Sequence, residues 1–153
     1  MKFHRMVLNN KQTEVKKIFC NENIVVEQYN EKYHQIIPQI YAKSFNELPW
    51  PKDWDQFNGR IYEGIFVAID KATNHCVGFI VSYFRDGYGY ISVVAVVPEY
   101  RRQGIAMLLI NQAISFLNAK EKLEIKIDVE TSNEQAIILY QKIGFLIKET
   151  KED

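Results

Sequence analysis

Apolar residues change their spacing repeatedly along this chain, and each change marks an element. From Gly64 onward come three strand-like runs, Gly64–Asp70, Cys76–Phe84 and Gly89–Val97. Turn-rich polar stretches, Lys71–His75 and Arg85–Tyr88, separate them, so the three read as an antiparallel meander. Arg102–Asn118 then places Ile105, Leu108, Leu109, Ala113, Phe116 and Leu117 largely on one side of a helix. Leu123–Glu130 alternates apolar with charged residues as a strand. Asn133–Ile143 is helical and closed by Gly144, and Phe145–Glu149 is a final strand. Upstream, Asn23–Tyr29 reads as a strand. Glu31–Phe45 has Ile36, Ile37, Ile40 and Tyr41 at helical spacing, with Pro38 marking a start or a kink. Pro49 and Pro51 forbid a regular element around them, and Asp53 then caps a short helix to about Arg60. Phe3–Leu8 and Glu14–Phe19 read as two strands turning at Asn9-Asn10. The order is that of an α/β (α+β) fold with mixed strand pairing.

Length and composition narrow the class. The 153 residues fit one domain over 1–153, and 47% hydrophobic with 13% aromatic residues supplies a packed core. Lys and Arg total 19, as do Asp and Glu, so no basic excess points to nucleic acid. Cys20 and Cys76 are too few for a disulfide framework and suit a reducing compartment. No apolar run reaches the ~20 residues of a membrane helix, and none of signal-peptide length follows Met1. The expectation is a soluble cytoplasmic protein with no membrane or nucleic-acid partner. His34, His75 and Cys76 are scattered without ligand spacing, so no metal is expected.

The most informative stretch is Val93–Ala106. An apolar strand stops at Pro98, a short polar loop follows, and a helix begins near Gly104. Helix starts leave amide donors unpaired and carry partial positive charge, which suits phosphate. Gly104 lets backbone approach a ligand, and Arg101 and Arg102 add cationic donors. A plain strand–loop–helix connection with solvated arginines fits the spacing as well. The two-glycine frame of a Walker loop and the three-glycine dinucleotide fingerprint are absent.

Arg101-x-x-Gly104-x-Ala106 after an apolar strand resembles the pyrophosphate motif of the GCN5-related N-acetyltransferases (GNAT). Downstream, Asn133-x-x-Ala136-x-x-x-Tyr140-x-Lys142-x-Gly144-Phe145 is similar to that family's second signature. The two stand in the family's order, one helix and one strand apart, and the likeness covers roughly residues 60–149. It implies a mixed, mostly antiparallel sheet of six to seven strands with about four helices. It also implies acetyl-CoA as acetyl donor without metal, and direct transfer to a primary amine in a ternary complex.

By this resemblance the backbone of Val94, Ala95 and Val96 pairs with the pantetheine arm. The amides of Arg102, Gln103, Gly104, Ile105, Ala106 and Met107 hold the pyrophosphate. Asn133 touches the cofactor, although an asparagine there is also a favoured helix cap. Tyr140 is the candidate acid for the departing thiolate, or else an aromatic on a buried helical stripe. Asp128 stands five residues before Asn133, where the ribosomal-protein alanine acetyltransferase branch has a catalytic glutamate. It is the candidate base, with a water chain or a plain outward strand charge as alternatives. Glu130 shares its face and is a candidate for contact with the acceptor. Tyr41, Phe45, Trp50 and Trp54 are candidates for the acceptor pocket, or for packing of the proline-stiffened loop. The acceptor itself, a small-molecule amine or a peptide or protein amine, stays open. A homodimer is common among such folds. A non-catalytic acyl-CoA sensor, and an interaction domain binding no nucleotide, are the alternatives.

Overall fold

The computed structural model describes residues 1–9, 21–45, 61–121 and 123–152. Its strands are β1 (Lys2–Leu8), β2 (Ile24–Gln28), β3 (Ile65–Asp70), β4 (His75–Arg85), β5 (Tyr88–Val96), β6 (Ile125–Glu130) and β7 (Leu146–Glu152). They form one seven-stranded sheet in the order β2-β3-β4-β5-β6-β1-β7. Three α-helices lie among the described residues: α1 (Ile36–Ser44), α2 (Ile105–Lys120) and α3 (Glu134–Ile143). The helix expected at Asp53–Arg60 and the strand expected at Glu14–Phe19 fall outside the described residues.

The meander is present as expected: β3, β4 and β5 pair antiparallel in sequence. Pro38 is the third residue of α1, where its missing N–H costs no intrahelical bond. Helix α2 starts at Ile105, later than the periodicity suggested. Arg102 (φ 64°) and Gly104 (φ 79°) both take left-handed backbone, which a helix cannot include. Its face of Ile105, Leu109, Ile110, Ala113, Ile114 and Leu117 is buried against β3, β4 and β5. Helix α3 closes at Gly144 (φ 123°). There the Phe145 N–H bonds Tyr140 O (3.0 Å) and the Gly144 N–H bonds Gln141 O (3.1 Å). That is a Schellman closure, and it fixes Tyr140 to the fully buried Phe145.

The N-terminal strand departs from expectation. β1 makes no local hairpin but inserts between β6 and β7, antiparallel to both. Burial decides this: Met6 is fully buried and Leu8 nearly so in that slot, an apolar gain that a two-stranded hairpin at the surface lacks.

One irregularity shapes the sheet. Between β4 and β5 the register passes from Ser82↔Ile91 to Val81↔Val93, leaving Ser92 unmatched. Such a bulge bends its strand. β5 pairs with β6 only at Gly89↔Ile125, Tyr90↔Lys126 and Ile91↔Ile127, and beyond the bulge the two parallel strands separate.

Close packing holds β4 from the other side. The Ser82 hydroxyl is buried and donates to Gly64 O at 2.8 Å, and a Cβ on Gly64 would sit 1.9 Å from Ser82 O. Gly64→Ala therefore displaces backbone and is expected to cost roughly 2–3 kcal/mol in denaturant unfolding. Gly87→Ala meets no atom within 4 Å and bears only the left-handed backbone penalty, about 1 kcal/mol. Equal losses at the two positions would contradict this packing.

Candidate active site

Strand separation leaves one edge of β5, beyond Ile91, without a strand partner among the described residues. The Val97 N–H bonds back to Val77 O (3.0 Å), so alternation turns the backbone groups of Val96 and Val94 to the opposite edge, toward β6. The Val96 carbonyl there accepts from Ser44 Oγ and from Arg101 Nε, both at 3.3 Å. The Arg101 guanidinium also donates to Ser44 O (3.2 Å). Arg101 thus ties the end of α1 to the end of β5. The sequence suggests Arg101 as an added cationic donor beside the loop; Nε and one terminal nitrogen of its guanidinium are engaged by these carbonyls.

Past Pro98 a short 3₁₀ turn (Pro98–Tyr100) leads into the loop. Tyr100 donates from its hydroxyl to the buried Asp70 carboxylate at 2.6 Å, which holds that carboxyl below its usual range and pins the turn to the end of β3. Two left-handed residues, Arg102 and Gly104, then aim successive amides outward. The first helical bond runs from Leu108 N–H to Gly104 O, and Gly104 provides no side-chain cap. The amides of Arg102, Gln103, Gly104, Ile105, Ala106 and Met107 have no acceptor among the described residues. This is an anion site in form, with the exposed Arg102 at its rim. Gln103 accepts at Oε1 from Asn21 Nδ2 (3.1 Å), so its side chain braces the loop.

Across the gap stands β6. Asp128 receives both Arg5 Nε (2.9 Å) and an Arg5 terminal nitrogen (3.0 Å), and the Tyr90 hydroxyl at 3.0 Å. Partial burial alone would raise its pKa, but these hydrogen bonds and the guanidinium charge outweigh it and hold the carboxyl below its ordinary value. Tyr90 is pushed the other way, by burial and then by the Asp128 charge. Glu130 is exposed at the end of β6, opposite Phe3.

Asn133 is the N-cap of α3, its side chain accepting from Ala136 N–H at 3.2 Å, as an asparagine in that place can. One helical stretch on, Tyr140 is buried with its ring 6.1 Å from that of Phe145. Burial alone raises its phenol to about 12, and no hydrogen bond from that hydroxyl to a described residue offsets it. The Tyr41 and Phe45 rings lie 4.7 Å apart, tilted by 45°, and lean on the core, while Trp50 and Trp54 lie outside the described residues. Cys76 is largely buried and its thiol is pushed up to about 11. Cys20 lies outside the described residues. Among the described residues no three His, Cys, Asp or Glu side chains gather as a metal cluster, and no helix is long and apolar enough to cross a membrane.

Sequence reasoning missed Arg5 and Tyr90. Arg5 carries no local signal, since its partner lies 123 positions away. Tyr90 had one: its parity in β5 puts it beside Lys126 and on the face of Asp128.

The acetyltransferase (GNAT) family model matches residues 27–145. The N-alpha-acetyltransferase MAK3 of Arabidopsis thaliana is 30% identical over 143 residues, covering 89% of this chain and 73% of that protein. The crystal structure of the NatC complex bound to Gag peptide and CoA superposes with TM-score 0.75 and 25% identity, over 83% of this chain and 87% of that one. A GCN5-related N-acetyltransferase from Sphaerobacter thermophilus has the same fold (TM-score 0.84, 19% identity), over 97% of this chain and 49% of that one. These likenesses are to transferases, which favours the enzyme over the sensor. With the separated strands and the open amide cradle, they lead to one conclusion: the chain belongs to the GNAT family of acetyltransferases and is an acetyl-CoA-dependent N-acetyltransferase.

Proposed function

We propose that this enzyme acetylates the α-amine at the N-terminus of a peptide or protein, by direct attack in a ternary complex with Tyr140 as the acid. The observation that carries the acceptor class is the likeness to an N-alpha-acetyltransferase over 89% of the chain. A structure similar to this one holds both a peptide and CoA, which supports the same reading.

In this reading the amides from Arg102 to Met107 hold the diphosphate, and the edge of β5 at Val94 and the Val96 N–H pairs with the pantetheine arm as an added strand would. The Val96 N–H meets the thioester oxygen and stabilises the charge that develops there. The amine nitrogen attacks the thioester carbonyl carbon. The tetrahedral intermediate then collapses, the C–S bond breaks, and the sulfur takes the Tyr140 proton. A phenol raised to about 12 keeps that proton until the sulfur needs it. The burial and raised thiol of Cys76 speak against an acyl-cysteine there. Asn133 lies at the cofactor side of α3 in this reading, and Tyr41 and Phe45 back the acceptor.

Asp128 takes a different part here from the general base for which it is a candidate. Its oxygens already accept three hydrogen bonds, and its proton affinity is depressed. It serves as a fixed negative charge facing the amine as positive charge appears on nitrogen, while the amine proton leaves through water.

Two outcomes test this. Tyr140→Phe is expected to lower kcat about 10²–10³-fold while the Kd for acetyl-CoA stays within roughly twofold, read by thiol release and calorimetry. Full turnover in this variant with an authentic acceptor removes Tyr140 from the chemistry. The pH profile of kcat/KM should rise through the acceptor amine's own pKa, about 8. It should then stay level to about pH 10, because the acid keeps its proton in that range. An alkaline fall well below pH 10 would point to another acid.

A further inference from the structure

Below the strand separation, on the face that carries Asp128, tyrosine rings and cations alternate. The Tyr83 and Tyr90 rings lie 5.6 Å apart, and Tyr88 and Tyr90 6.3 Å. Arg85 lies over the Tyr90 ring at 5.5 Å and Lys126 over the Tyr88 ring at 4.3 Å. Register explains the cluster: Arg85 pairs with Tyr88 and Lys126 with Tyr90, so all four share one face of the sheet. Asp128 neutralises Arg5. Asp86 at the hairpin tip and Glu124 before β6 are close in sequence, and Glu149 opposite Arg5 pairs with Lys151. Neither Arg85 nor Lys126 has a carboxylate partner among the described residues. A chain of zero net charge thus holds, among its described residues, two cations without a carboxylate partner beside its gap.

We propose that Arg85 and Lys126, stacked on Tyr90 and Tyr88, select acceptor chains that carry a carboxylate side chain within the first few residues after the reacting amine. This rests on the peptide-acceptor reading above. Lys126 precedes Asp128 by two positions on one strand, roughly 6.6 Å, which is the span of about two residues of an extended peptide. An acceptor whose amine faces Asp128 therefore lays its second and third side chains over the tyrosines. The rings hold the cations in place before the ligand arrives, so little rotamer freedom is lost on binding.

The test uses three synthetic peptides of one sequence with Glu, Gln or Lys at positions two and three, assayed by thiol release from acetyl-CoA. The wild-type enzyme is expected to prefer Glu over Gln by about tenfold in kcat/KM, two exposed ion pairs each giving a few-fold, with Lys worst. R85E/K126E should invert the order, a result that loss of packing does not produce. Should that variant fail to fold, the wild-type ratio itself must shrink toward unity as ionic strength rises. Brisk turnover with equal use of Glu and Gln, an unchanged order in the reversed variant, or a salt-insensitive ratio overturns the selection alone. Absence of turnover with every peptide overturns the peptide-acceptor reading and this inference with it.

Discussion

The structure depends on two parallel strands that part company. β5 and β6 share three residue pairs and then diverge, because Ser92 is one residue too many against β4. Inside a sheet, an unpaired strand edge is costly, since each orphaned amide or carbonyl forfeits a hydrogen bond. Here the edge groups are those of Val94 and the Val96 N–H at the mouth of a gap, the Val96 carbonyl being taken by Ser44 and Arg101. In the proposed function, what would be a defect in a structural sheet serves as a binding surface that needs no special side chain.

Three contacts keep that gap open and shaped. Arg101 bridges the end of β5 to the end of α1, so the open edge is anchored beyond the gap. Tyr100 fastens the following turn to Asp70, which sets where the amide cradle begins. On the far side Arg5 joins β1 to β6 through Asp128. None of these groups has a part in the proposed chemistry, yet each fixes the position of one that does. The left-handed Arg102 is the conformational cost of aiming the cradle, since a non-glycine residue is disfavoured there.

The middle and end of the chain were legible because their signals are local. Alternation marked β3, β4, β5 and β6, and Gly104 and Gly144 punctuated α2 and α3 at their observed ends. The loop was legible for the same reason, since a helix start exposes its amides whatever the fold. Distant pairing was not legible. β1 reads as half of a hairpin until Met6 is found buried between β6 and β7. Arg101 reads as an anion donor until its carbonyl partners are seen. The function of a charged side chain is set by which opposite group reaches it first, and sequence spacing holds no record of that.

The same point governs the two ionisable groups proposed for the reaction. Tyr140 and Asp128 follow from neighbouring elements, yet their environments drive them apart. Burial without a partner pushes the phenol to about 12, and three donors with a guanidinium hold the carboxyl below its ordinary range. One group therefore stays protonated and the other stays charged across the whole span in which an amine gains nucleophilicity. A pair poised near neutrality would exchange a proton with each other or with solvent before the thioester arrived. In the proposed mechanism, separation of the two values sets the direction of transfer: the phenol gives its proton to the departing sulfur, and the carboxylate, already paired with Arg5, stays charged beside the nitrogen.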